Sequence, residues 1–479
     1  MKKFVALLLA AVMLFALAAC GAKTEAPAAA PAAAPAAAPA AAPAASAPAE
    51  TAKEAAPDTI TVMVPPVTNG YGDMIRAWAE EWKVDHPNIS VEVIETTWDD
   101  HNSKLSTMAL AGEAPDISEI AFASLGSYVE MGVTVDVSKY IDLSDYDANA
   151  VGYMTLDGTV NGLPLYVTIQ ALGGNKAMLE EAGVDVAKVQ SSGWTYEEFM
   201  AALEKGTKDG IFGFVFANQG ITTSDFINIF GGAAGLTYSF TDDLKYAFTS
   251  QNMLNLLNAI NEIISSGCMP NYTVAAGDRL KMLQKGETMV TGKAMPLFET
   301  NVRTSSEAAK AGPTEEGYIE MEYVFLPVPT MEGVAPSCYG QVDGLMPFLN
   351  SNSTEEHLQN VCDFLNFLCS GARIADLDNT LLLPCVCETG REAQKGAELV
   401  QSEGNAIAAA YGISLVVTPP AGITAEQSSA ANQIMNEVIV PKLEALIAGE
   451  ATPEAVYEAI CESAFAAFGE AGCETGLIA

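Results

Sequence analysis

Apolar residues recur at every second position in "TITVMV", where Ile60, Val62 and Val64 share a face, and in "NISVEVIE", where Ile89, Val91 and Val93 do. A period of two predicts half-buried strands. Between these runs, Ile75, Trp78 and Trp82 of "DMIRAWAEEWKVDHP" fall on one face of a helix, which Pro87 is expected to end. A second helix is predicted over "DDHNSKLSTMALAG", with Leu105, Met108 and Ala109 on its apolar stripe. Asp99 or Asp100 is its expected N-cap, and Gly112 its stop. "APDISEIAFA" reads as a third strand. Strand–helix–strand–helix–strand implies parallel strands joined by right-handed crossovers, a doubly wound α/β unit.

Further along, "GWTYEEFMAALEKG" carries a full helix-start signature. Thr195 and Glu198 form a capping box, while Trp194 and Phe199 form the hydrophobic staple, so Trp194 already has a packing role. "STEEHLQNVCDFLNFLCSG" reads likewise, with Ser353 as cap, Glu356 reaching back and Gly371 as stop. Its inward face would carry Leu358, Val361, Cys362, Leu365 and Leu368. The chain closes on a helix capped by Thr452, with Pro453 in its first turn. No self-similarity at a solenoid period is present.

The first residues have a different grammar. Lys2 and Lys3 precede an apolar run from Phe4 to Leu17, the layout of a secretion signal (1–19) rather than a membrane span. "LAAC" followed by Gly21 resembles the bacterial lipobox. That resemblance implies a lipidated Cys20 at the mature N-terminus; the other reading is an ordinary cleaved signal with an incidental cysteine. Two or more acyl chains would hold the chain at a membrane where one would not. Residues 20–57 are chiefly Ala and Pro. Proline at every fourth position forbids continuous helix and favours an extended leash, on the order of 100 Å long.

Composition narrows the chemistry. With 479 residues, 49% of them apolar, the chain can build two or three domains. Its 23 basic and 60 acidic residues give a formal charge of −37, which argues against nucleic acid and polyanionic substrates. Cys268, Cys338, Cys362, Cys369, Cys385, Cys387, Cys461 and Cys473 follow Cys20. An exported chain permits disulfides, and their pairing stays open. Cys362 and Cys369, two helical turns apart, are about 10 Å from each other and too distant to bond. His86, His101 and His357 are scattered, and no metal or cofactor motif is present. A G-x-S-x-G elbow and a phosphate-binding G-x-x-x-x-G-K-[ST] are also missing.

The motifs in order resemble the family 1 extracellular solute-binding proteins of bacterial ABC importers, the maltose-binding-protein-like group. "DMIRAWAEEWKVDHPNISVEV", "STMALAGEAPDI", "NGLPLYVTIQALGGNKAMLEEAGV", "GWTYEEF", "KGETMVTGKAM" and "GLMPFLNSNSTEEHLQNVCDFLNFL" carry the likeness, over about residues 58–470. Gly173 and Gly174 stand where the family usually has aromatics, which puts the local shape of the hinge-side wall in question. The resemblance implies a periplasmic-binding-protein-like fold: two doubly wound α/β lobes joined by hinge strands, with a ligand cleft between them. Lobe 1 would take 58–165 and 343–390, lobe 2 would take 168–340 and 395–479, and hinges would lie near Pro164–Thr168 and Gly340–Asp343. It also implies no enzyme activity and no cofactor. The ligand would be a mono- or oligosaccharide, handed to the transmembrane subunits of an ABC permease. A lipid-anchored glycoside hydrolase, or a binding protein for a cationic solute such as a polyamine, are the alternatives.

In such a cleft aromatic faces meet C–H surfaces, while amides and carboxylates meet hydroxyls. Ligands gather past the C-terminal ends of the strands. Topology and resemblance together select Asn69 and Tyr71 after strand one, Trp98 and Asp99 after strand two, and Phe122 after strand three. They add Tyr166 and Gln170 at the first hinge, Phe298, Glu299 and Asn301 where the family often places a tryptophan, and Tyr339, Gln341 and Asp343 at the second hinge.

Overall fold

The computed structural model describes residues 56–397, 401–417, 419–420 and 422–478, leaving out the side chains of Asp99 and Ile221. The signal segment, Cys20 and the Ala/Pro-rich stretch up to residue 55 therefore lie outside the described residues. Strand β1 (Asp58–Val64) leads into helix α1 (Tyr71–Trp82), strand β2 (Ile89–Glu95), helix α2 (Trp98–Leu110), strand β3 (Ile117–Ala121) and helix α3 (Phe122–Met131). β1 pairs in parallel with both β2 and β3, as the alternation predicts. A small hairpin of β4 (Thr155–Leu156) and β5 (Thr159–Val160) precedes the long strand β6 (Leu163–Asn175). β7 (Phe212–Val215), β8 (Thr288–Ala294), β9 (Tyr323–Leu326) and β10 (Tyr339–Pro347) complete the strands.

The main sheet runs β2-β1-β3-β10-β6-β8-β7, with β9 also on β6. β6 is the joint. Its first part, Leu163–Gln170, pairs antiparallel with β10, and its last part, Ala171–Asn175, pairs with β8 and β9. β10 in turn pairs with β3. The two strands β6 and β10 thus carry the chain between a half built on β1–β3 and a half built on β7–β9. The glycines at 173 and 174 sit where no side chain fits: a Cβ on Gly173 would come 2.6 Å from Tyr323, and one on Gly174 would come 2.5 Å from Leu179.

Ile75, Trp78 and Trp82 of α1 are buried, on the face predicted for them. α1 stops at Trp82, ahead of Pro87; His86 stacks on Trp82 at 3.8 Å between ring centres, and its Nδ1 meets the Trp82 carbonyl at 3.0 Å. α2 is capped by Thr97 rather than by either aspartate: the Thr97 hydroxyl accepts from the Asp100 N–H and donates to the Asp100 carboxylate. The helix Glu355–Leu368 starts one residue later than expected, with Thr354 as cap, because the Ser353 hydroxyl is engaged in the turn at Asn350. It ends at Leu368, and Gly371, at φ +59°, opens the next helix, Gly371–Leu381. The Thr195–Glu198 capping box, the Trp194–Phe199 contact and the Thr452 cap stand as predicted. Phe199, Phe214, Phe216, Phe226 and Phe230 are fully buried in the second half, each such side chain contributing roughly 1.5–3 kcal/mol. The eight cysteines from Cys268 to Cys473 are free thiols. Among the described residues no helix is long and apolar enough to cross a membrane.

Candidate functional site

β3 runs into α3 without a loop, and α3 has no side-chain cap. Its first N–H groups are therefore left to outside partners. Ala121, Phe122, Ala123 and Ser124 at this junction line a cavity of about 370 Å³. Asn102, Ser103 and Ser106 of α2, Ser127 of α3 and Tyr153 complete the wall from the first half. The opposite wall comes from Asp225 and Asn228 on the helix Ile221–Phe230, from Thr237 and Tyr238, and from Ser428, Asn432, Met435 and Asn436. Tyr339, Gly340 and Gln341 of β10 lie between the two walls. The cavity thus occupies the crevice past the carboxyl end of β3, where open α/β sheets bind ligands.

A local irregularity aims the second wall. The helix Ala425–Ile434 passes through one π turn, Met435–Ile439, into the helix Val440–Ile447. Pro441 has no N–H to give the carbonyl one turn back, so the α pattern cannot run through. The widened turn begins at Met435 and Asn436, both on the cavity.

The lining is hydroxyl, amide and aromatic. Among the described lining residues none is lysine, arginine or histidine, and Asp225 is the one carboxylate. Phe122 meets Tyr153 edge-on at 5.6 Å. The Tyr153 and Tyr238 hydroxyls lie 3.1 Å apart, and both donate to the Val417 carbonyl. These groups present flat apolar faces beside donors and acceptors of both kinds.

Behind the wall sits a charged layer. Lys293 Nζ is 2.6 Å from the Asp225 carboxylate. Lys293 is the extra residue of a bulge in β8: Ala171 pairs with Ala294 and Leu172 with Gly292, and Lys293 takes φ +45°. A left-handed backbone at lysine costs about 1–3 kcal/mol and persists only where its surroundings impose it. Here the buried Arg279 guanidinium donates to the carbonyls of Gly292, Lys293 and Ala276. Burial lowers the Arg279 pKa to about 10, against the pull of Asp225. On β10, Tyr339 Oη donates to Gln341 at 3.0 Å, and Gln341 Nε2 donates to Asp343 at 3.0 Å. Tyr166 Oη donates to Glu119 at 2.6 Å, and the second Glu119 oxygen is buried without a partner. Burial raises the Glu119 pKa well above the carboxylate range, Asp343 raises it further, and the Tyr166 bond opposes both.

Of the residues selected from sequence, Phe122, Tyr339 and Gln341 lie on this cavity. Asp343, Tyr166 and Gln170 are buried behind it on the crossing strands. Asn69 is exposed, Tyr71 is buried in the core of the first half, and Trp98 is 41% exposed with its indole N–H donated to the Pro66 carbonyl. Phe298 packs in the core with Arg279 5.6 Å from its ring, and Glu299 holds Ser402 N–H and Asn405, so both serve the second half's interior. The Asn301 carbonyl accepts from Gln284. The Asp99 side chain lies outside the described residues. Sequence reasoning missed the serines and asparagines of the walls. Their one signal was helical spacing: Asp225 with Asn228, and Ser428, Asn432 and Asn436 in successive turns. Among the described residues no group of His, Cys, Asp and Glu could hold a metal ion.

The model of the family described as bacterial extracellular solute-binding protein matches residues 77–386. An uncharacterised lipoprotein of Streptomyces antibioticus is 28% identical over 136 residues, 28% of this chain and 30% of the relative, so the chain spans under a third of that protein's length. The fold is shared with solved structures, two of which serve as examples. The GacH receptor of Streptomyces glaucescens, studied unliganded and with acarbose, superposes with a TM-score of 0.68 at 16% identity, covering 86% of this chain and 99% of that one. The cyclic α-maltosyl-1,6-maltose binding protein of Arthrobacter globiformis gives a TM-score of 0.62 at 18% identity, covering 86% and 99%.

Proposed function

The chain belongs to the bacterial extracellular solute-binding proteins, with the family's two α/β lobes, and from that premise we propose that it captures a neutral mono- or oligosaccharide in the cavity between them. The observation that carries this reading is the lining itself: hydroxyls, amides and aromatic rings drawn from both halves of the sheet, with no cation among them. At about 370 Å³ the cavity is within the range of small-molecule sites, roughly 300–1,000 Å³. A cationic solute finds only Asp225, already paired with Lys293. A glycoside hydrolase needs two carboxyl groups flanking the bond, and the described lining offers one.

In this reading the lobes follow 58–165 with 343–390 and 168–340 with 395–479, and β6 and β10 supply the hinges. A ligand touching both walls binds the closed form better and so shifts the population toward it. Cys20 carries the lipid, the Ala/Pro stretch is the leash, and the closed form docks on the transmembrane subunits of an ABC permease. Phe122, Tyr339 and Gln341 contact the ligand, together with Asn228, Tyr238 and Asn432.

Calorimetry of the mature chain against maltotriose, laminaribiose, acarbose, common monosaccharides and spermidine tests the reading. A sugar is expected to bind without being cleaved, and Tyr339→Ala and Asn432→Ala to weaken it about tenfold each, the loss of roughly 1.4 kcal/mol. Binding of spermidine alone, or cleavage of a bound oligosaccharide, would overturn it.

A further inference from the structure

Trp98 is the largest apolar side chain left open among the described residues, yet its ring is held in place. Its indole N–H donates to the Pro66 carbonyl at 3.2 Å, which seats it against the loop that follows β1. We propose that Trp98 is the outer platform of the ligand site: it takes a further ring of an oligosaccharide whose first units fill the cavity, and so favours sugar chains over single sugars. The inference rests on the function proposed above and deepens it by naming the length of ligand the site selects.

Contacts with three strands fix where this platform stands. The Thr96 hydroxyl, at the exit of β2, donates to the Val64 carbonyl at the end of β1 at 3.2 Å. His101 Nδ1 lies 2.7 Å from that hydroxyl, and His101 Nε2 lies 2.8 Å from the Glu119 carbonyl of β3. The first turn of α2, capped by Thr97, is therefore pinned over the carboxyl side of β2, β1 and β3. That is the edge of an open α/β sheet along which ligands gather. The cavity opens past β3, and Pro66 follows β1, the strand paired beside it. Neighbouring strands stand about 4.8 Å apart, so the indole extends the crevice by about that much.

α2 carries the cavity lining outward to the indole. Asn102 and Ser106 line the cavity from positions four residues apart, and Trp98 is the next member of the same row, one turn nearer the helix start. Side chains on a helix lean toward its N-terminus, so the indole leans away from Asn102 and stands outside the cavity. A single sugar lodged among the lining residues does not touch it, whereas a chain leaving the cavity along α2 passes over it. An indole already oriented through its N–H offers a flat apolar face that loses little freedom when a ring stacks on it.

The test reads the indole itself. The chain has four tryptophans, and Trp78, Trp82 and Trp194 are buried, so fluorescence that acrylamide quenches reports Trp98. Quenching and calorimetry are run on the chain and on W98A with glucose, maltose, maltotriose and maltotetraose, and with laminaribiose and laminaritriose. Affinity is expected to step up at the length whose added ring reaches the indole, and Trp98 to become protected from acrylamide at that length and beyond. In W98A that step should shrink roughly three- to tenfold. The proposal is overturned if sugars of every length bind while Trp98 stays quenchable, or if W98A weakens all lengths by one common factor, as loss of a merely structural tryptophan would. Protection that grows with protein concentration in the absence of sugar would make a second copy of the chain the occupant and overturn it too. Should W98A fail to fold, the quenching of the unaltered chain decides alone. If none of these sugars binds, the function reading fails and the platform with it. If sugars bind and Trp98 stays open, the platform alone fails.

Discussion

His357 shows how one side chain can close a lobe. Its Nδ1 lies 2.9 Å from Asp58, the first residue of β1, and its Nε2 lies 3.0 Å from Asp116, just before β3. Asp116 also accepts from the Thr61 N–H and hydroxyl and from Asn350, so it ties β1 to the segment that follows β10. Burial works against a charged imidazole here, but the bonds and charges of the two aspartates outweigh it and raise the His357 pKa. A group raised on folding contributes stability that is fully present below its unfolded value of about 6.5 and is lost as pH rises through the folded value. Asp58 works in the other direction: burial raises its pKa, the bonds from Asn360 and His357 lower it more, and its contribution is lost as pH falls through the lowered value. His357→Gln should therefore lower the urea midpoint at pH 6 by more than at pH 8.5. An equal loss at both would mean the ring only fills space. Little of this was legible in the sequence. The Pro-Asp-Ile motif pointed to family likeness, but Asp58, Asp116 and His357 are separated by up to 299 positions, and nothing local predicts that they meet.

At the scale of elements, the decisive contact is between α3 and the helix Ala425–Ile434, because both line the cavity. Glycine inside a helix costs about 1 kcal/mol against alanine, so Gly126 needs a reason. A Cβ there would lie 2.6 Å from Ser428 Cβ and 3.1 Å from the Ala425 carbonyl. The bare backbone lets the two helices touch, and their distance sets the cavity's width. Gly126→Val should push them apart, lower the melting temperature by the equivalent of about 1–3 kcal/mol, and weaken the binding of any ligand the cavity takes further than stability alone explains. Gly126→Ala with Ser428→Gly should recover most of the affinity lost in Gly126→Ala alone. Unchanged affinity in Gly126→Ala would show that the contact is not used in closure. Element existence was readable because period two and period 3.6 survive in the apolar residues of β1, β2 and α1. Caps slipped by one to three residues at Thr97 and Thr354, where several Ser, Thr and Asp compete for one role and only the turn geometry chooses. The cavity walls were illegible for a related reason. Serine and asparagine on a helix face read as solvent-exposed until the topology sets two such faces opposite each other.

For the molecule as a whole, charge and burial push stability the same way. A formal charge of −37 repels itself more as pH rises, and less as salt screens it. Inside, burial raises the carboxyls of Glu119, Asp343 and Asp378 above their ordinary values. Among the described residues, both Asp378 carboxyl oxygens are buried without a hydrogen-bond partner. The sign follows as it did for the imidazole: a carboxyl raised on folding contributes stability present below about 4 and lost as pH rises through its folded value. Both effects favour mild acid, until Asp58 and its like begin to protonate. The ligand-free chain should therefore melt a few degrees higher at pH 5.5 than at pH 8. At pH 8, raising salt from about 0.01 to 0.15 M shortens the screening length from about 30 to 8 Å and should recover part of the difference. The part that salt does not recover belongs to the buried carboxyls, which screening reaches poorly. Asp343→Asn should shrink that remainder while leaving the salt-sensitive part intact. Scanning calorimetry of the two proteins at both pH values and both salt concentrations separates the two contributions. A pH difference that vanishes entirely in salt would assign all of it to the surface and leave the crossing strands with no share.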